Sequence, residues 1–158
     1  MLFETVAIGG TFEVIHLGHI LLFDTAFRIG KKVIVGITSD SFVKKIYKKH
    51  KISKYSDRVK RVENYLRSKG VLERAEFIKL EDPYGPTITD PSIDALVVSE
   101  ETLKVGLEIN KIRFSKGYKH LVIVVVNMVL AKDDLPISTT RILNGFIDDK
   151  GFLLQKTI

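Results

Sequence analysis

Apolar residues fall along this chain in short unbroken runs, separated by stretches of helical spacing. Thr5-Val-Ala-Ile8 ends in Gly9-Gly10, the pattern of a buried strand entering a tight turn. Ile20 to Ile29 has helical periodicity and stops at Gly30. Lys32-Val-Ile-Val-Gly-Ile-Thr38 predicts a second buried strand, and Ser39-Asp40 would cap a short helix after it. Ser56-Asp57 predicts the cap of a longer helix, with Val59, Val62, Tyr65 and Leu66 on one face and Gly70 at its end. Glu76 to Leu80 reads as a third strand. Glu81 to Pro91, with Pro83, Gly85, Pro86 and Pro91, reads as a loop. Asp94 to Ser99 predicts a fourth strand, Thr102 to Lys116 a helix closed by Gly117, and His120 to Leu130 a long fifth strand. Ser138 to Asn144 is a last short helix before Gly145.

Strands that are continuously apolar, rather than alternating, belong to a parallel sheet covered on both faces. Five of them with right-handed crossovers predict an α/β fold, a doubly wound, Rossmann-like sheet. The 158 residues fit a single domain, with a core over 3–145 and a tail over 146–158 of no assigned role. Such sheets bind ligands beyond the carboxyl ends of their strands, near the point where strand order reverses. Attention therefore falls on 9–19, Thr38 onward, 81–89, 99–102 and 130–141.

Composition removes several chemistries. There is no cysteine, which excludes disulfides, thiolate metal sites and a cysteine nucleophile. The longest apolar run, Leu121 to Ala131, is interrupted by Asn127 and is too short for a bilayer. The N-terminus carries Glu4 and no basic stretch, so no signal peptide is expected. The expectation is a soluble, cytoplasmic protein with no membrane partner.

The net charge of +6 is local. Residues 44–61 hold Lys44, Lys45, Lys48, Lys49, Lys51, Lys54, Arg58, Lys60 and Arg61 against the single acid Asp57. Such a patch fits an anionic ligand, either nucleic acid or a phosphorylated small molecule. A nucleic-acid module would need stacking aromatics within the patch, and only Tyr47 and Tyr55 lie there. No nucleic acid is expected as partner.

The chemistry concentrates in Gly9-Gly10-Thr11-Phe12-Glu13-Val14-Ile15-His16-Leu17-Gly18-His19. Glycines leaving a strand let a backbone approach a ligand closely. His16 and His19 share one face at the opening of a helix, whose free N–H groups and dipole attract anions. Two imidazoles at that end suit a polyphosphate whose charge grows during reaction. No third ligand stands nearby and the dipole end repels cations, so no metal bound by protein ligands is expected. Near the other end, Ser138, Thr139 and Thr140 open a short helix after Pro136, and Arg141 can add a charge-assisted contact to phosphate.

GGTFEVIHLGH resembles the GGTFDxxHxGH signature of the nucleotidyltransferase superfamily, and Ile137-Ser-Thr-Thr-Arg-Ile142 resembles its ISSTxIR motif. The middle of the chain narrows the resemblance. Glu81-Asp-Pro-Tyr-Gly-Pro-Thr87, Val97-Val-Ser-Glu-Glu-Thr102, Asn110 and Arg113 are similar to the archaeal and eukaryotic type of phosphopantetheine adenylyltransferase, over Val6 to about Asn144.

That resemblance implies adenylyl transfer from ATP to 4′-phosphopantetheine, giving dephospho-coenzyme A and pyrophosphate. It implies that Thr11 holds the attacking phosphate, that His16 holds the triphosphate, and that His19 meets the charge developing at the α-phosphorus. Gly10 and Gly18 would allow close approach, with Gly18 under the adenine and Phe12 among the nucleotide-binding residues. Ser138, Thr139, Thr140 and Arg141 would bind phosphates, and Asn110 and Arg113 would contact the nucleotide. The family places an acceptor-binding lysine between the second strand and the arginine of the next helix, here Arg58. Lys51 is the first choice and Lys49 the second. Asp82 and Tyr84 to Thr87 would shape the pantetheine pocket or serve only as a turn. Mg2+ would enter on the ATP phosphates. Three positions depart from the signatures: Glu13 for Asp, Thr139 for Ser, and Leu143 for the final Arg. The alternatives are another small-molecule nucleotidyltransferase, acting on FMN, nicotinamide mononucleotide or a glycerol-phosphate type of acceptor, and a nucleic-acid-binding module. Oligomeric state stays open.

Overall fold

The apolar runs pair side by side in one parallel sheet. In this computed structural model, residues 1–154 are described. The elements are β1 (Phe3–Gly10), α1 (Leu17–Ile29), β2 (Gly30–Thr38), α2 (Asp40–Ile46), α3 (Tyr55–Ser68), β3 (Ala75–Leu80), β4 (Ala95–Ser99), α4 (Leu103–Ser115), β5 (Val122–Val126) and α5 (Thr139–Leu143). The five-stranded sheet has the order β3-β2-β1-β4-β5. All pairings are parallel. This is the doubly wound, Rossmann-like α/β fold that the apolar runs predict.

Period-two side chains divide the core between the two faces. Val6, Ile8, Val33, Val35 and Ile37 pack with Phe23 and Ala26 of α1 and Val62 and Leu66 of α3. Ala7, Ile34, Leu96 and Val98 pack with Ile109 of α4 on the other face. A smaller cluster of Ala131, Ile137 and Ile147 lies beyond the sheet, with Leu17, Val129 and Ile142 against it.

The order reverses between β1 and β4, and there the sheet splits. β1 pairs with β2 from Phe3 to Gly10 but with β4 only at Val6 and Ala7. Past Ala7 the two strands part, and their carboxyl ends open a cleft.

Three local expectations are corrected. β5 ends at Val126 rather than Leu130. Beyond it, Val129 and Ala131 join the small third cluster while Leu130 is exposed, and Ile137 N–H donates to Val129 O at 2.8 Å. Apolar sequence alone cannot separate a strand from a buried loop of the same composition. The second correction concerns α3, which begins at Tyr55 with Lys54 in the cap position and no side-chain cap from Ser56 or Asp57. The Tyr55 N–H instead donates to Asp40 Oδ1 of α2 at 2.7 Å, a partner distant in sequence. The third is α1, which starts at Leu17 and not Ile20, because His16 caps it.

The segment after α5 folds back on the body. Ile147 is fully buried and bridges Leu153, and Asp149 O accepts from Leu17 N at the start of α1. Residues 155–158, the end of the expected tail, lie outside the described residues. Among the described residues, no helix is long and apolar enough to cross a membrane.

Candidate active site

The cleft between β1 and β4 has a volume of about 670 Å³. Gly10, Thr11, His16, Gly18 and His19 line one wall, and Ser138, Thr139 and Thr140 line another. Segments from opposite ends of the sequence therefore meet at one site.

The two histidines are built into the start of α1. His16 Nδ1 accepts from Gly18 N at 3.0 Å, and His19 Nδ1 accepts from His16 N at 3.4 Å. This is the reciprocal arrangement of a capping box, with imidazoles in place of the usual Ser and Glu. The rings stack with centroids 3.8 Å apart. A neutral imidazole whose Nδ1 accepts carries its proton on Nε2, so His16 keeps a donor, while the His19 ring also meets the Val14 carbonyl. Burial pushes the His16 pKa down to about 4, partly offset by the Asp149 carboxylate. Burial, then the neighbouring His16, pushes His19 down to about 3, with the Val14 carbonyl working the other way. Both rings are neutral at pH 7 in the free protein.

Two glycines keep this geometry possible. A Cβ on Gly18 would stand 2.9 Å from His16 Cε1, and one on Gly10 would stand 2.8 Å from the Phe12 ring. Gly18 is thus required by the His16 ring itself, before any ligand arrives.

Thr11 is held on two sides. Its Oγ1 accepts from Thr38 Oγ1 at 3.0 Å, and its carbonyl accepts from Arg58 Nη1 at 3.1 Å. Arg58 is fully buried and also donates to Ser53 O and Thr38 O, at 2.9 and 2.8 Å. The Glu13 carboxylate accepts from Ser53 N and Oγ at 3.0 and 2.8 Å. That clasp fastens the end of the lysine-bearing segment to the histidine loop. On the far side, Ser138 caps α5 by accepting from Arg141 N at 3.2 Å, which leaves its hydroxyl proton free to donate.

The cytidylyltransferase-like family matches residues 7–145. A phosphopantetheine adenylyltransferase from Methanothermobacter thermautotrophicus is 44% identical over 154 residues, covering 98% of this chain and 92% of that protein. One from Methanosarcina mazei is 45% identical over 154 residues, covering 96% and 97%. The chain belongs to the phosphopantetheine adenylyltransferase family. A solved structure from Archaeoglobus fulgidus, described as a protein of unknown function, is similar at a TM-score of 0.71 and 35% identity, over 78% of this chain and 89% of that one.

Several residues that the family resemblance singles out lie elsewhere. Arg113 is fully buried, and its guanidinium donates to the carbonyls of Lys119, Thr87 and Asp90 at 2.8, 2.7 and 2.9 Å. It braces the Gly85–Ile88 turn from behind and does not reach the cleft. Asn110 is likewise spent on the backbone of Leu121, accepting from its N–H and donating to its carbonyl. Phe12 is buried with φ of 56°, stacked on Phe23 and edge-on to His19, so it supports a histidine and does not line the cleft. Arg141 donates to Pro136 O at 2.9 Å and pairs with Asp133, closing its own loop. Lys49 and Lys51 are exposed on the segment after α2, outside the cleft wall.

Other cleft residues escape a reading of the sequence. Asn127, Met128 and Val129 line the cleft where β5 was expected to continue. Thr38 and Arg58, which hold Thr11, were legible only as a strand end and a helix landmark. Only the register of the sheet shows it: Gly10 pairs with Ile37, so the next step along the parallel strands sets Thr11 beside Thr38. Tyr84, Pro86 and Thr87 do reach the cleft, in a turn where Asp82 Oδ1 accepts from Tyr84 N and Gly85 N, both at 2.8 Å.

Proposed function

We propose that this chain transfers the adenylyl group of ATP to the phosphate of 4′-phosphopantetheine, releasing pyrophosphate and forming dephospho-coenzyme A. The observation that carries the reading is the meeting of the two histidines with Ser138–Thr140 in one cleft. The names of relatives matched over nearly the whole chain supply the choice of acceptor.

A phosphate oxygen of the acceptor forms a bond to the α-phosphorus. The bond from that phosphorus to the β-phosphate oxygen breaks, and pyrophosphate leaves with the electron pair. An ionised phosphate needs no general base, so catalysis is positioning plus charge stabilisation. Thr11 and Gly10 hold the incoming phosphate. The Nε2–H groups of His16 and His19 donate to the triphosphate, with His19 at the α-phosphorus. Ser138, Thr139 and Thr140 donate to the β- and γ-phosphates. Lys51, or Lys49, neutralises the acceptor phosphate from the mobile reach of a long side chain. The Tyr84–Thr87 turn walls the pantetheine arm.

Among the described residues, no group of three or more His, Asp or Glu side chains could hold a metal ion. A magnesium ion that enters on the ATP phosphates is part of the substrate. The test is pyrophosphate release with ATP and magnesium, comparing 4′-phosphopantetheine with FMN, nicotinamide mononucleotide and glycerol phosphate. Release with phosphopantetheine alone, with dephospho-coenzyme A as product, supports the reading. Release only with another acceptor keeps the chemistry and discards the acceptor.

A further inference from the structure

Thr38 ends β2 with its side chain buried at the edge of the cleft. Its hydroxyl lies between two partners. Arg58 Nη1 stands 3.2 Å from Thr38 Oγ1, and Thr38 Oγ1 stands 3.0 Å from Thr11 Oγ1. A guanidinium donates and never accepts. Thr38 must therefore meet Arg58 with a lone pair, and its single proton goes to Thr11. Thr11 receives that bond on its own oxygen, so its proton is left for a third partner. Thr11 lines the cleft, and its carbonyl is held by the same Arg58 nitrogen.

The charge at the root of this chain is only partly offset. Arg58 is fully buried, and among the described residues its one carboxylate contact is Asp40 Oδ1 at 3.2 Å, on a side chain 56% exposed. Hydrogen bonds in series from a buried cation polarise one another. A chain running the other way would present lone pairs to a phosphate and repel it.

We propose that Arg58, Thr38 and Thr11 form a one-directional hydrogen-bond chain that aims the Thr11 hydroxyl proton at the acceptor phosphate, making Thr38 a positioning residue for the transfer. The inference rests on the function proposed above. In this role Thr38 acts through Thr11.

Removing its hydroxyl leaves the fold its other supports. Arg58 Nη1 has Thr38 O at 2.8 Å and Thr11 O at 3.1 Å, so Thr38→Val takes the longest of its three contacts. Valine is also well suited to a buried strand. The experiment compares wild type with Thr38→Val, Thr38→Ser, Thr11→Ala and the Thr38→Val/Thr11→Ala double variant. It reads kcat and KM for each substrate, with a thermal melt of every protein. Thr38→Val should lower kcat by about ten- to a hundredfold, the scale of one hydrogen bond to a charged group, with KM for ATP unchanged. Thr38→Ser should restore most of the rate. The double variant should be no slower than Thr11→Ala alone, because a chain already cut cannot be cut again. Thr38→Ala serves the same comparison if Thr38→Val melts as an unfolded protein. A Thr38→Val enzyme within about twofold of wild type overturns the inference, as does a loss that multiplies onto that of Thr11→Ala. Those results leave the proposed function standing. A folded wild type with no turnover of phosphopantetheine overturns both.

Discussion

His16 and His19 do three jobs with the same atoms. Their Nδ1 atoms cap α1, their stacked rings line the cleft, and the Nε2–H of His16 remains as a donor. Because burial holds their pKa values at about 4 and 3, neither ring should titrate above about pH 5 in ligand-free protein, which proton NMR of the imidazole resonances checks. The sign for stability follows. Between about 4 and the ordinary 6.5, the unfolded chain binds protons that the folded one refuses. Stability should therefore rise with pH across that window, with no further gain from these groups above it. Urea midpoints from pH 4 to 7 read this, and a His19→Gln variant should show a shallower rise. For turnover, His19→Ala should cost about a hundred- to a thousandfold in kcat, the scale of losing one donor to a developing oxyanion. ATP affinity by calorimetry should hold; an equal loss there would move His19 from the transition state to the ground state. Lys51→Ala should raise KM for the acceptor several-fold and leave that for ATP alone. If Lys49→Ala does so instead, the other lysine is the phosphate ligand.

Elements here are capped and tied by residues far away in sequence. Asp40 from α2 caps α3, and Glu13 from the histidine loop clasps Ser53 ahead of α3. The longer arm of Glu13, where the superfamily signature has Asp, is the one that makes this reach. Arg61 lies 3.7 Å from the same carboxylate, so one anion serves two partners. Cutting the clasp should free the segment that bears Lys48, Lys49 and Lys51 without unfolding the sheet. Limited trypsin digestion of Glu13→Ala should cleave within 44–54 faster than in wild type, at nearly the same melting temperature. Equal cleavage would show that the segment is held by other contacts.

At the scale of the molecule, the short β1–β4 ladder opens the cleft, and the segment after α5 packs against the loop that leads into Ser138. Ile147 sits at 0% exposure against Ala131 and Ile137, and the neighbouring Asp149 carbonyl reaches the first residue of α1. Ile147→Ala should cost about 2–5 kcal/mol, as for other large-to-small changes in a core. Urea unfolding measures it. A cost below about 0.5 kcal/mol, the range of surface changes, would mean that this cluster melts apart from the rest.

The sequence by itself determined the class of fold: continuous apolar runs, the parallel sheet they require, and the strand ends at which to look for a site. It also determined both motifs, because a glycine turn, two histidines and a Ser-Thr-Thr segment are legible as residues in a row. Tertiary structure alone decided what each polar group is free to do. Arg113 and Asn110 look like ligand contacts until their hydrogen bonds are counted, and all lead to backbone. Arg58 sits in a run of surface lysines, yet it is the one drawn into the core, where carbonyls from three segments converge. The length of β5 was unreadable for a related reason, since burial in a sheet and burial in a loop select the same apolar residues. A donor that finds a partner inside the protein is spent, and only the fold shows which donors those are.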